Sequence, residues 1–171
     1  MRAISFNPVM LAAVWASRKT VTRRRFPLDL LLQQEPERYR YDGLAEEGAV
    51  FIDLRANPVS RLPPVPCPFG QPGEQVYVVE DPGLILEIRS IRAEQVQDIT
   101  EEDALAEGVH QQEKDGHLQW GGVVPDPDRV GQFHWSSRPL VAFRVLLDSI
   151  YPTAWEQNQW MWVVTFTQVS V

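Results

Sequence analysis

Cysteine is nearly absent from this 171-residue chain: Cys67 stands alone, so no internal disulfide can form and no cysteine-based zinc site can be built. Histidine is scarce as well, with three in all. His110 and His117 share a polar stretch with Glu113 and Asp115, but their spacing fits no rigid ligand geometry on a helix. Both read as solvent-exposed loop residues, and no metal is expected. Long hydrophobic runs are also missing, for no stretch approaches the roughly 20 apolar residues that span a bilayer. The N-terminus only imitates a signal peptide. Its apolar run, residues 9–16, is eight residues long, Asn7-Pro8 interrupts it, and Arg18-Lys19 follows at once. Together these absences predict a soluble chain in a reducing, cytoplasmic compartment, without a membrane partner.

Positive charge is in deficit. Sixteen Lys and Arg stand against 23 Asp and Glu, a net charge of −7, which disfavours broad, sequence-blind adhesion to nucleic acid or anionic membrane. The deficit is uneven, however. The run RKTVTRRR, residues 18–25, holds five cations and no acid, leaving −12 on the other 163 residues. Such an island in an acidic molecule suits a small, focused anion site better than a long groove, although a bare charge run is as often a solvated strand paired with acids.

The rest is ordinary for a folded protein. With 44% hydrophobic and 23% charged residues, the composition excludes collagen, coiled coil and global disorder, and the length fits one domain. Residues 3–6 predict a strand, after which Asn7 caps a helix that has Pro8 at its first position and runs to about residue 17. The β-branched run at 20–25 predicts a strand, placing Arg18-Lys19 at a helix-strand joint. Residues 27–72 are loop-rich, with a hairpin at 39–41 and 50–54 and six prolines between Pro58 and Pro72. Strands follow at 75–79 and 84–96. Thr100-Glu-Glu-Asp103 has capping-box spacing and starts a short helix that ends at Gly108. Residues 109–137, rich in glycine and proline, predict a surface excursion, in part mobile. A helix from Arg138 buries a stripe of Leu140, Phe143, Leu147 and Ile150, and Pro152 stops it. The last strand, 160–166, has Trp160 and Trp162 on one face and Met161 and Val163 on the other, so it reads as a wall buried on both sides rather than as a base-stacking platform. Several strands with helices between them predict an α+β domain built around a small barrel or curled sheet.

Strand alternation sends Thr20, Thr22 and Arg24 one way and Val21, Arg23 and Arg25 the other, so one set alone should line a pocket. Lys19, at the joint, is free of the alternation and can bring its amine beside Thr22. A threonine hydroxyl needs a neighbouring base to act as a nucleophile; a lysine with a pKa lowered by desolvation serves, and a carboxylate can orient it. Glu80, Glu101 and Glu102 read as surface acids, and Cys67 as structural.

These residues resemble a known family. The run Ser17-Arg-Lys-Thr-Val-Thr-Arg-Arg24 is similar to the "GRKTxTRR" signature of ASCH domains, in the PUA-like superfamily. The segments from Cys67 to Glu80 and from Ile99 to Gly108 resemble the family's "YGxPGDxLWVRE" and "ITEEDAxAEG" blocks, and the pieces 143–151 and 155–166 resemble its ending, in the longer version found in phages and prophages. Ser17 stands where the family has glycine, Val79 where it has a basic residue, and Asp81-Pro82 where it has Thr-Trp. The resemblance implies a single ASCH domain over residues 1–171: a PUA-like β-barrel with helices packed around it, loop inserts at about 27–72 and 109–137, and a pocket where the basic strand meets the first helix. It implies an RNA, nucleotide or modified-nucleoside ligand and no cofactor, with Arg18, Thr20, Arg24 and Glu80 as ligand-binding positions. Some small ASCH members hydrolyse the acetyl amide of N4-acetylcytidine with a Lys-x-x-Thr plus Glu set. Carried over by motif, that set falls on Lys19 as base, Thr22 as nucleophile and Glu107 as the group orienting Lys19. Ribonuclease activity, also attributed within the family, would call for paired histidines at short spacing, which this sequence lacks. A further reading is a phage protein-protein interaction module with a vestigial pocket.

Overall fold

Asn7 Oδ1 accepts the Met10 amide at 2.8 Å, and Pro8 occupies the first turn behind it, so the Asn-Pro pair starts a helix as its chemistry dictates. In the computed structural model, which describes residues 1–169, the strands in chain order are β1 (Arg2–Ile4), β2 (Val21–Arg25), β3 (Tyr39–Ala45), β4 (Gly48–Asp53), β5 (Ser60–Arg61), β6 (Gln75–Val78), β7 (Asp81–Gln95), β8 (His110–Lys114), β9 (His117–Pro125), β10 (Phe133–Ser136) and β11 (Trp160–Gln168). The helices are α1 (Pro8–Trp15), α2 (Leu31–Gln34), α3 (Glu101–Ala106) and α4 (Pro139–Ile150). The chain is thus mixed α+β, dominated by strands. None of its helices, among the described residues, is long and apolar enough to cross a membrane.

The central sheet has the order β1-β6-β7-β11-β2 and curls into a half-barrel. β1 runs parallel to β6, and the other pairs are antiparallel. Both β1 and β2 are therefore edges, with α1 as the connection between them. The seam between the two edges is crossed by a side chain rather than a ladder: Arg24 of β2 donates from a terminal guanidinium nitrogen to the carbonyl of Ser5, just past β1, at 2.6 Å.

β11 is buried on both faces. Trp160, Trp162, Val164 and Phe166 belong to the main core, while Met161 packs with Ala104, Phe143, Leu147 and Ala154 beneath α3 and α4. Phe26 stacks on Trp162 with ring centroids 4.2 Å apart, and Phe51 of β4 meets Trp160 edge-on at 4.9 Å, anchoring the β3-β4-β5 sheet to the central one. The loop-rich stretch 27–72 thus carries α2 and a three-stranded sheet around its expected hairpin.

Residues 109–137 lie mostly at the surface, as expected, but are built of strands rather than loop: an antiparallel sheet, β10-β9-β8, packs against α4, with Val109 and Val123 in the main core. Two of its glycines serve close approach: a β-carbon at Gly121 would lie 2.2 Å from the His134 carbonyl oxygen on β10, and one at Gly122 would lie 3.2 Å from the His110 and Trp135 side chains. The buried stripe of α4 is also displaced, with Ala142, Phe143, Leu146 and Leu147 inside and Ile150 49% exposed.

Candidate functional site

The helix-strand joint and the end of α3 are drawn together by backbone bonds. Ser17 turns the chain with φ of 61°, a left-handed conformation natural to the glycine of the motif it departs from. The amides of Arg18 and Lys19 then both reach back to the Ala13 carbonyl, at 3.0 and 3.1 Å. Lys19 pairs with Glu107 as an isolated antiparallel bridge, and the Thr20 amide donates to the Ala106 carbonyl at 2.9 Å. Gly108 makes this approach feasible, because a β-carbon there would stand 2.9 Å from that of Ala13 and 3.2 Å from that of Lys19. α3 itself is launched as the capping spacing implies, with Thr100 Oγ1 accepting the Asp103 amide at 3.1 Å.

The outcome is a buried ion pair. Lys19 Nζ donates to Glu107 Oε2 at 2.6 Å, to the Val21 carbonyl at 2.8 Å and to the Glu107 carbonyl at 3.3 Å, which occupies all three ammonium hydrogens. The Val21 carbonyl belongs to the edge strand β2. Both side chains are almost wholly out of solvent, at 3% and 4% exposure. Burial pushes the Lys19 amine below the ordinary lysine range, the Glu107 carboxylate opposes that shift, and the nearby Arg24 and Arg23 guanidinium groups add to it.

Arg23 is the residue that strand alternation misses. It is buried and holds three acids: its terminal nitrogens donate to Glu107 Oε1 at 3.3 Å, Glu94 Oε1 at 3.0 Å and Asp103 Oδ2 at 3.0 Å. Glu107 is thereby clamped between Lys19 on one oxygen and Arg23 on the other. The single-face rule fails because β2 is an edge strand, and long side chains from either face can reach round an edge to the same space. Among the described residues, Arg23 Nε is buried with no hydrogen-bond partner.

A cavity of about 370 Å³ opens at this place, within the size range of small-molecule sites. Lys19, Thr22, Arg23, Arg24 and Glu107 contribute its polar lining, and Phe6, Met10, Phe143, Leu146 and Tyr151 its apolar one. Thr22 Oγ1 accepts from Arg24 Nε at 3.1 Å, which leaves the hydroxyl proton free for another acceptor. Among the described residues, no hydrogen bond joins Lys19 Nζ to Thr22 Oγ1. The Arg24 guanidinium also lies 5.3 Å from the centre of the Phe6 ring and 5.7 Å from that of Phe69.

Three sequence-derived positions stand outside this lining. Thr20 is exposed, its backbone engaged with Ala106 and Phe166. Arg18 is half-buried on the side of His110, whose pKa is lowered by burial and by the Arg18 charge. Glu80 accepts from the Ser5 hydroxyl and from the Phe6 amide, the latter at 3.1 Å, and these bonds, with Arg24 assisting, hold its carboxyl below the usual range. It steadies the Ser5-Phe6 rim without lining the cavity. Glu101, read as a surface acid, accepts from Arg138 and from the Leu140 amide and so caps α4. His110 and His117 lie on β8 and β9, and no cluster of three or more metal-ligating side chains occurs among the described residues. Compared with known proteins, the chain matches no family model, no curated protein and no solved structure.

Proposed function

We propose that this chain is an ASCH-type, PUA-like protein that binds a nucleotide or modified nucleoside in the cavity at the seam of its half-barrel. The observation that carries the reading is the meeting of Lys19, Glu107, Thr22 and Arg24 in the lining of one compartment of nucleoside size. The chemistry of the lining suits a heterocycle with a polar edge. Phe6, Met10 and Tyr151 offer apolar and aromatic surface, and the Thr22 hydroxyl a free proton for a carbonyl or ring-nitrogen acceptor. A compartment of this size fits one base better than a duplex groove, in keeping with a net charge of −7.

A second reading, amide hydrolysis of an N4-acylated cytidine, is favoured by one observation: a desolvated lysine stands three residues from a buried threonine, with its amine pKa lowered. Thr22 Oγ1 would attack the acetyl carbonyl as Lys19, once deprotonated, takes the hydroxyl proton. Collapse would expel cytidine with that proton on its 4-amino nitrogen, and water would then release acetate from the Thr22 ester. Lys19 must first give up one of its three hydrogen bonds, so turnover is expected to climb with pH and level off below the ordinary lysine range.

The test is calorimetric titration with cytidine and incubation with N4-acetylcytidine, comparing wild type with Lys19→Ala and Thr22→Ala. Binding lost in Thr22→Ala, with no acetate released, supports the binding reading. Acetate release abolished in both variants supports the hydrolase, turnover surviving both sinks that mechanism, and no binding of either compound sinks the proposal.

A further inference from the structure

A second cavity, of about 360 Å³, adjoins the first, and the two share Arg24 and Tyr151 as a common wall. Its other walls come from Arg25 and from the proline-rich stretch, through Val65, Pro66, Pro68 and Phe69. That stretch has no part in the Lys19-Glu107 chemistry. Pro66 and Pro68 are exposed and Phe69 is half-buried, so flat apolar faces stand beside an aromatic ring.

The wall between the cavities carries positive charge that no carboxylate contacts directly, with Glu107 and Glu80 acting on Arg24 only from a distance. Lys19, Arg23, Arg38 and Arg92 all hold carboxylates, as do the more exposed Arg2, Arg55, Arg61, Arg89 and Arg138. Among the described residues, Arg24 and Arg25 form no salt bridge; Arg18, Arg40, Lys114, Arg129 and Arg144 form none either, but of that set only Arg24 and Arg25 line these two cavities. Arg25 lies instead over the Tyr151 ring, 4.7 Å from its centre, and Arg24 between Phe6 and Phe69. Both guanidinium groups are half-buried, and burial lowers the Arg24 pKa, the mark of a cation short of solvation. Two ring-sized compartments, with Arg24 in the wall between them and Arg25 in the wall of the second, match a ligand with two planar groups joined by one anion.

We infer that the second cavity is a subsite for the neighbouring base of a single-stranded oligonucleotide, with the linking phosphodiester held by Arg24 and Arg25. This rests on the nucleoside reading of the first cavity, and it narrows the ligand from a free nucleoside to a dinucleotide step. The neighbouring base lies against Phe69, Tyr151 and the proline rings, a contact that tolerates any base because every base has an apolar face. One phosphate is engaged, so raising salt from about 50 to 200 mM lowers affinity only about threefold.

Calorimetric titration of the full chain with cytidine, cytidine 5′-monophosphate and the dinucleoside monophosphates CpU and UpC tests this. One of the two dinucleotides is expected to bind roughly tenfold tighter than cytidine. Arg25→Gln, at a residue outside the first cavity, should remove most of that gain while leaving cytidine affinity unchanged, and Phe69→Leu should reduce it. The inference is overturned if both dinucleotides bind no tighter than the monophosphate, or if the gain survives both substitutions. Cytidine binding without a dinucleotide gain leaves the nucleoside reading standing and removes the subsite. Dinucleotide binding without cytidine binding supports the subsite and confines the first cavity to bases within a strand. No binding of any probe removes both.

Discussion

Arg23 shows what a single residue decides in this molecule and what a sequence conceals about it. Lys19 and Glu107 were legible because a motif singles them out, 88 positions apart, and the structure joins them at 2.6 Å. Alternation sets Arg23 apart from Thr22 and Arg24, yet all three line one cavity, because β2 has β11 on one flank alone and a long side chain reaches round its open edge. Its three acids, Glu94, Asp103 and Glu107, come from β7 and from the start and end of α3, a convergence that no spacing along the chain announces. Removing one member of a buried charge cluster leaves the rest uncompensated, so Arg23→Met is expected to cost about 3–5 kcal/mol. Arg23→Lys, which keeps the charge but not the fork, should cost less, and urea denaturation of both variants measures the difference.

Elements with a strong local signal were readable, and those stabilised from outside were not. α1, α3 and β11 each carry their own instructions: the Asn7-Pro8 start, the Thr100 cap, and the two-sided apolar run from Trp160. β8, β9 and β10 do not, because their polar residues face solvent and what fixes them is the face of α4 beneath β9 and β10, with β8 held through β9. The junction of β2 and β11 depends on a residue with no sequence signal at all. The buried Gln33 side chain donates to the Phe26 carbonyl at 3.1 Å and the Trp160 carbonyl at 3.0 Å, and accepts the Trp160 amide at 2.8 Å. Gln33→Leu would strand the Trp160 amide and the Phe26 carbonyl away from water and leave the Trp160 carbonyl with the Phe26 amide alone, at an expected cost of about 1–3 kcal/mol. Hydrogen exchange should show the loss as faster exchange at the Trp160 amide, ahead of the centre of β11.

For the whole molecule, the curled sheet and its α+β character followed from the order of strands and helices, whereas the open seam did not, since closure depends on pairing between β1 and β2 that neither strand encodes. Global stability also carries a pH signature through Cys67, the lone thiol in the main core. Burial raises its pKa, against weaker opposition from the Phe69 and Gly70 amides and from Arg2. The unfolded thiol ionises near about 8.5, so above that pH the unfolded state holds fewer protons than the folded one, and stability falls as pH rises, by up to about 1.4 kcal/mol per unit. Lys19 acts in the opposite sense, its lowered pKa making the folded state the poorer proton binder. Cys67→Ala isolates the thiol: its stability should decline less steeply than wild type between pH 8 and 10 in denaturant titrations. The position of β2 has one more effect. An edge strand invites a second molecule to add its own strand, and sheets resist this with charge. Here Lys19 already occupies the Val21 carbonyl, and the half-buried Arg24 and Arg25 follow along the same edge. The basic run is therefore expected also to guard the open seam, so neutralising Arg24 and Arg25 should raise concentration-dependent association, which light scattering would register.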